Sequence, residues 1–556
     1  MYGVRGVPMF AALLIGVFLV QSYLASRTKS AVYDEPTDIA AGLSYLSTGV
    51  IRANPQHPPL IKELAGLFLR VAGYRLPDDP QTRQMVEGEG GETRIGAAWI
   101  AQNGADRVMA AARLPMILVA GALGLLLFLW GRQLAGETAA LAALFLYAVD
   151  PTLLAHSFLV TMDTGLAAFT LLFFFALWNY VCRPDGKRLV WCGLALGAVL
   201  AVKFSAVFLL PVAAVLLWAG SRTQRAKATP QRGDTKERRV SERKPASGPP
   251  LPWETAEKTS GGAAFGFVVM CLIAVVMLQV FYLSSGGAYL YSAGMERVNA
   301  DHDPNHLAFL AGSTQARFPS YFLVAYLLKE PLPAILLAGF GLVVLLRSRS
   351  IGLLTKLFLL LPPAVLMAVH SLWADDLGIR YIIPVLPFAW LIAGVGVARL
   401  LALRALWPRV LLGALAVWLL TTAAAIYPDH LAYFNEAACL GGNADRIRLD
   451  GGALCGTLWL DDSNVDWGQG LKQLKEWAGR NSHGRNFRLA YFGTMDPVAY
   501  GVTAERIGLA DLIEPKPGLY VVSAHFVVQA VVHGAAWLAN SKPVAVIGHS
   551  LYVYER

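Results

Sequence analysis

The sequence predicts an α-helical polytopic membrane protein with about eleven spans, and three observations carry that prediction. The 556-residue chain is 56% apolar and only 15% charged, where soluble domains carry roughly a quarter charged residues. Its mean hydropathy is +0.49. Its charges are also segregated: Val119–Trp130, Leu189–Val202 and Phe265–Leu283 have none, while 221–260 holds ten Lys or Arg against five acids. A hydrocarbon core about 30 Å thick takes roughly 20 apolar residues in a helix, and a large soluble core would interrupt such runs with amphipathic spacing.

In order, the spans fall at 8–25, 110–130, 138–150, 158–181, 188–202, 204–220, 262–283, 332–347, 355–371, 382–399 and 410–427. The first begins like a signal peptide, with Arg5 before an apolar run. No small-residue cleavage site ends it and further spans follow, so it reads as an uncleaved span. Placing the N-terminus inside puts Arg132, Arg183, Lys187, Arg188, Arg347, Arg349, Lys356, Arg399, Arg404 and Arg409 on the cytoplasmic side, as the positive-inside rule requires. The net charge of +9 is thereby spent on topology, which argues against nucleic acid as a partner. The inside loop at 221–261, rich in Lys, Arg, Ser, Thr and Pro, reads as a disordered linker.

Four segments then face outside: 26–109, 284–331, the turn SLWADDLGIRY, and everything after about residue 428. The organisation is a membrane unit over 1–427 and a C-terminal extracytoplasmic α/β domain over 428–556. In that domain TLWLDDSNVDWGQGLKQLKEW reads as strand, turn and helix, and FRLAYFGT, GLYVVSA and KPVAVIGHSLYVYE read as strands. No dinucleotide fingerprint, P-loop, CxxC or HExxH occurs, so ATP-driven chemistry is unsupported. Cys182, Cys192 and Cys271 read as packing residues. Cys439 and Cys455, both outside, can pair or stay free. Asp461, Asp462 and Asp466 lack the ligand spacing of a calcium loop and read as turn and cap residues.

Ionisable residues at a membrane boundary mark function by default, and here they gather on the outer side. AVYDEPTDIAAGLSYLSTGVIRANPQHPPLIKELAGLFLR follows the first span. Asp34 and Glu35 open a helix, where acids suit the dipole, so capping and a chemical role both fit them. Ala40, Leu43, Tyr45 and Leu46 give an apolar face suited to a helix lying in the interface. NPQHPPL is an extended turn, and Lys62 and Glu63 open the next amphipathic helix.

An acidic pair after span one, followed by a PPL turn and Lys62, resembles glycosyltransferase family 39 of the GT-C superfamily, which includes protein mannosyltransferases and aminoarabinose transferases. ARLPMILVAGALGLLLFLWGRQLAG, SFLVTMDTGLAAF with Asp163, GLALGAVLAVKFSAVFLLP with Lys203, LLKEPLP with Lys329 and GIRYIIPVLPF with Arg380 are similar to that family along the chain. HLAYFNEA and DDSNVDWGQGLKQLKEW resemble a bacterial, phospholipid-carrier-dependent subgroup. The resemblance implies inverting transfer of a sugar from a polyprenyl-phosphate donor to a protein, lipid or glycan hydroxyl. It places the enzyme among membrane lipids, in a bacterial inner membrane with the catalytic face extracytoplasmic. It makes Asp34 the general base, with Glu35 in support and Asp163 a second acid. Lys203, Arg380, Lys329 and Lys62 become donor-phosphate ligands, and His57 and Tyr381 substrate contacts. A span-end Lys taken singly reads as snorkelling; Lys203, however, splits an apolar run long enough for two short spans. Some relatives read DExxH where this chain has DEPTD, with Asp38 in the His position. No metal ligand is assigned, and a divalent cofactor is left open. The competing reading is a transporter or flippase of lipid-linked sugars, which should keep its polar residues near the midplane.

Overall fold

The computed structural model describes residues 6–228, 262–300, 307–481 and 485–556. Helices occupy all eleven positions read as spans, from Gly6–Thr28 to Trp407–Ile426. Eight of them are long and apolar enough to cross a membrane among the described residues. A ninth arises if Tyr321–Lys329 and Leu332–Arg347, bent by 115°, count as one span; Pro331 and Pro333 lie at that bend, where helical hydrogen bonding cannot continue. Glu137–Val149 and Gly186–Leu200, at 13 and 15 residues, are shorter. Most of the basic inside loop (229–261) lies outside the described residues. Its first eight residues, expected to be disordered, instead continue the helix Leu209–Ala228.

The break around Lys203 is as the charge suggested. Gly186–Leu200 ends, Lys203 adopts an extended conformation, and the 3₁₀ turn Phe204–Phe208 leads into the next span. A lysine there satisfies a turn that a purely apolar run would have no reason to make.

The first outer segment folds into four helices, Glu35–Thr48, Leu60–Val71, Pro80–Val86 and Glu92–Gln102. Glu35–Thr48, read as a helix with one apolar face, is buried on nearly all sides by the protein itself. Apart from Thr37, every residue from Glu35 to Tyr45 is buried, because the helix is wedged between Leu60–Val71 and Glu92–Gln102. Its crossing with Leu60–Val71 is backbone against backbone. A Cβ on Gly42 would fall 2.0 Å from the Lys62 carbonyl oxygen, and one on Gly66 2.5 Å from that of Gly42. Leu60–Val71 is the amphipathic member: Ile61, Ala65 and Leu69 are buried, while Leu67 and Val71 face outward.

The C-terminal region contains a five-stranded sheet in the order Glu505–Arg506, Phe487–Ala490, Leu519–Ser523, Leu551–Glu555, Ala545–Ile547. The first three strands are parallel and the last two pairings antiparallel. The helix Leu471–Asn481 forms as expected, but the strand expected over TLWL does not. Ala453–Leu458 is a 3₁₀ turn instead. Cys439 and Cys455 are joined by a disulfide with Cα atoms 5.4 Å apart, and Trp459 Nε1 donates to the Ala438 carbonyl at 2.7 Å. These two ties hold the segment against the preceding turn and away from the sheet.

Candidate active site

The end of the helix bundle where span one exits carries two cation–carboxylate pairs. Arg380 Nη1 donates to Asp34 Oδ2 at 2.9 Å, and Lys203 Nζ donates to Asp163 Oδ1 at 3.0 Å. Asp34 precedes the helix Glu35–Thr48, Asp163 opens the span Met162–Cys182, and Arg380 sits in the 3₁₀ stretch Ile379–Val385. Tyr381 joins the pairs: the Lys203 ammonium lies 4.2 Å and the Arg380 guanidinium 5.4 Å from its ring centre, distances of cation–π attraction. The Arg380 Nε is buried without a hydrogen-bond partner. A buried guanidinium N–H left unpaired costs free energy, and an anion is its natural complement.

His57 lies beside this cluster. Burial, with the positive charges of Lys203 and Lys62, holds its pKa well below the ordinary imidazole value, so it is neutral near pH 7 and able to accept a hydrogen bond.

Lys62 and Lys329, expected as phosphate ligands, are instead used to build the site, and Glu35, expected in support of Asp34, is part of the same frame. Glu35 is fully buried and accepts from Arg113 Nε at 2.8 Å and Nη2 at 2.6 Å. Its carboxylate also takes the backbone N–H groups of Val32 at 2.9 Å and Val160 at 3.1 Å. It holds the turn that presents Asp34 and is closed to substrate. Lys62 Nζ donates to the carbonyls of Asn54 at 2.6 Å and His57 at 2.8 Å and to the Tyr45 hydroxyl at 3.2 Å. Two of its hydrogens are committed to the NPQHP turn and the third to the helix Glu35–Thr48. Burial pushes its pKa down to about 8, against the pull of Asp38. Lys329 Nζ donates to the carbonyls of Leu431 at 2.7 Å and Asn464 at 2.6 Å, which ties the C-terminal region to the bundle. Asp38, in the position where some relatives carry His, accepts from Asn54 Nδ2 at 3.1 Å.

Residues 95–231, about a quarter of the 556-residue chain, match the model of the dolichyl-phosphate-mannose-protein mannosyltransferase family. The matched region includes Arg113, Asp163 and Lys203. No curated protein matches the sequence. Among solved structures, the chain is similar to ArnT from Cupriavidus metallidurans bound to undecaprenyl phosphate, at 14% identity and a TM-score of 0.48, with 98% of this chain and 97% of that one covered. It is also similar to the Archaeoglobus fulgidus oligosaccharyltransferase in its apo form, at 9% identity and a TM-score of 0.45, covering 95% and 72% of the two chains. For the archaeal oligosaccharyltransferase AglB from Archaeoglobus fulgidus, in complex with an inhibitory peptide and a dolichol-phosphate, the values are 9%, 0.44, 96% and 72%.

Four residues around the cluster carried no weight in the sequence reading. Arg113 donates all five of its hydrogens, the remaining ones to the carbonyls of Ser26, Lys29 and Ser30 at 3.0, 3.0 and 2.8 Å. Its signal was available: an arginine inside an otherwise apolar span needs a partner. Trp467 lays its ring 4.3 Å from the Arg380 guanidinium and accepts the Tyr33 N–H on its carbonyl at 2.9 Å. His156 donates from Nδ1 to the Thr152 carbonyl at 2.8 Å, leaving Nε2 buried without a partner; burial pushes its pKa down to about 4. His370 has the same arrangement against Leu366 and lies 6.0 Å from the Tyr381 ring. Among the described residues, no three His, Cys, Asp or Glu side chains are placed to hold a metal ion.

Proposed function

We propose that this chain is an inverting glycosyltransferase that moves a sugar from a polyprenyl-phosphate donor to an acceptor hydroxyl on the outer face of a bacterial inner membrane. The observation that carries the reading is the pairing of Asp34 with Arg380 beside that of Lys203 with Asp163, at the membrane end that the positive-inside rule assigns to the exterior. The family matched over residues 95–231 takes a dolichyl-phosphate-linked mannose as donor by its description, which supports a lipid-phosphate leaving group here.

In the reaction, the acceptor oxygen attacks the anomeric carbon from the face opposite the phosphate. The new glycosidic bond forms as the carbon–oxygen bond to phosphate breaks, and the electron pair leaves on the polyprenyl phosphate. Asp34 receives the acceptor proton. Negative charge grows on the departing phosphate, and Arg380, with its unpaired Nε, and Lys203 lie where fixed cations lower that barrier. Tyr381 and neutral His57 contact the sugar or phosphate, Asp163 orients Lys203, and Glu35 fixes the turn behind Asp34. The C-terminal region is then extracytoplasmic.

The concentration of these groups at one end of the bundle favours catalysis over passage, since a carrier should keep them near the midplane. The test is Asp34→Asn in vesicles supplied with a polyprenyl-phosphate sugar. Turnover should fall by about 10²–10⁴-fold, the range for removal of a general base, while undecaprenyl phosphate still binds. Unchanged turnover would remove the proposed base.

A further inference from the structure

We propose that the acceptor is a carbohydrate, and that its ring lies on a shelf made by Tyr33, Phe492 and His525 with Asp462 at the inner edge. The inference rests on the assignment of Asp34 as proton acceptor, because the shelf begins at the residue beside it.

Tyr33 is 42% exposed and stacks on Phe492, with ring centres 5.3 Å apart and planes inclined by 28°. Phe492 stacks in turn on His525 at 4.0 Å and 28°. The three rings form a column rooted in the C-terminal region, with Tyr33 as its outer member. Two backbone ties hold Tyr33 in place: its N–H donates to the Trp467 carbonyl at 2.9 Å, and its own carbonyl accepts from Thr494 Oγ1 at 2.8 Å. A rigid, half-exposed ring offers a flat apolar face with a polar tip. The C–H-rich face of a pyranose is its complement.

Polar groups suited to vicinal hydroxyls stand next to the column. Asp462 follows Asp461, whose carboxylate holds His525 at 3.1 Å, and the charges of Arg380 and His525 both act on it, so it lies near the cluster around Asp34 and near the ring column. It is half-buried and one oxygen accepts the Ser463 N–H at 2.6 Å. The other makes no hydrogen bond among the described residues and is open to a hydroxyl donor. His525 is oriented by Asp461, which accepts from its Nδ1 at 3.1 Å and from Gln529 Nε2 at 2.7 Å. Burial would lower the His525 pKa, but the neighbouring carboxylates raise it, which favours the protonated ring whose Nε2 donates a hydrogen bond. An apolar face, an acceptor and a donor, all beside the base, make a site for a polyhydroxylated ring. A peptide Ser or Thr would use Asp34 and leave the rest idle.

The experiment is saturation-transfer NMR on the full-length protein in lipid nanodiscs, with methyl α-D-mannopyranoside and a Ser/Thr-containing peptide as separate probes. The expected result is transfer to the ring C–H protons of the mannoside. Tyr33→Phe should retain it and Tyr33→Ala should weaken binding by about threefold to tenfold, the worth of one aromatic face. Asp462→Asn should weaken it as well, and it decides the matter if Tyr33→Ala fails to fold. Mannoside binding that ignores Tyr33 and Asp462, or binding of the peptide alone, overturns the shelf. Loss of transfer in Asp34→Asn alongside either of those results leaves the glycosyltransferase reading standing, whereas unchanged turnover in Asp34→Asn strikes at that reading instead.

Discussion

Replacing Arg113 with methionine should cripple this protein although no reacting atom is touched. The guanidinium is 1% exposed and its five donors serve two carboxylate oxygens and three main-chain carbonyls. Its removal leaves the Glu35 charge buried with only the N–H groups of Val32 and Val160. Breaking one side of a buried pair costs about 3–5 kcal/mol, and each orphaned carbonyl adds roughly 1 kcal/mol or more where water cannot reach it. Arg113→Met should therefore lose about 4 kcal/mol or more. Removing the charge on both sides, as Arg113→Met with Glu35→Leu, should recover much of that loss, because an apolar pair of similar volume costs little. The assay is thermal unfolding of purified protein in nanodiscs for both singles and the double, analysed as a double-mutant cycle. A double variant no more stable than Arg113→Met alone would refute the idea that the uncompensated carboxylate dominates.

Three other outcomes follow from the geometry. His549 donates to Asp429 and Asp450 at 2.9 and 3.1 Å; burial alone would lower its pKa, but the two carboxylates push it up to about 9 from 6.5. A raised folded-state value stabilises fully below pH 6.5 and is lost as pH rises through about 9, so raising the pH from 6.5 to 9.5 should cost on the order of 2–3 kcal/mol. His549→Gln should flatten that pH profile of unfolding. The disulfide between Cys439 and Cys455 spans 16 residues, so reductant should destabilise the wild type by about 3 kcal/mol and leave the double Ser variant unmoved in a melting experiment. Gly42→Ala places a methyl 2.0 Å from the Lys62 carbonyl oxygen, an overlap costing about 3 kcal/mol, and should reduce the yield of folded protein on size exclusion.

Much of the architecture was legible because membrane spans announce themselves locally: a run of apolar residues, a basic flank, a turn at Lys203. What the sequence concealed were contacts between distant segments. Lys62, Lys203, Lys329 and Arg380 look alike as cations at outer helix ends. Only the folded chain separates Lys203 and Arg380, which face carboxylates, from Lys62 and Lys329, which donate to carbonyls and, for Lys62, also to a tyrosine hydroxyl. Glu35 and Asp34 are neighbours of the same type, yet one meets Arg113 and the other Arg380, and no spacing rule distinguishes them. The apolar face read on Glu35–Thr48 was correct as far as it went. Its polar face was misjudged because Asp38 is satisfied by Asn54 rather than by water.

The Ser30 and Tyr33 amides are received by the carbonyls of Gln469 and Trp467. A ribosome making this polypeptide must therefore translate past residue 469 before the segment leading to Asp34 can find its partners. Until then the inserted helices lack the main-chain contacts that fix this segment.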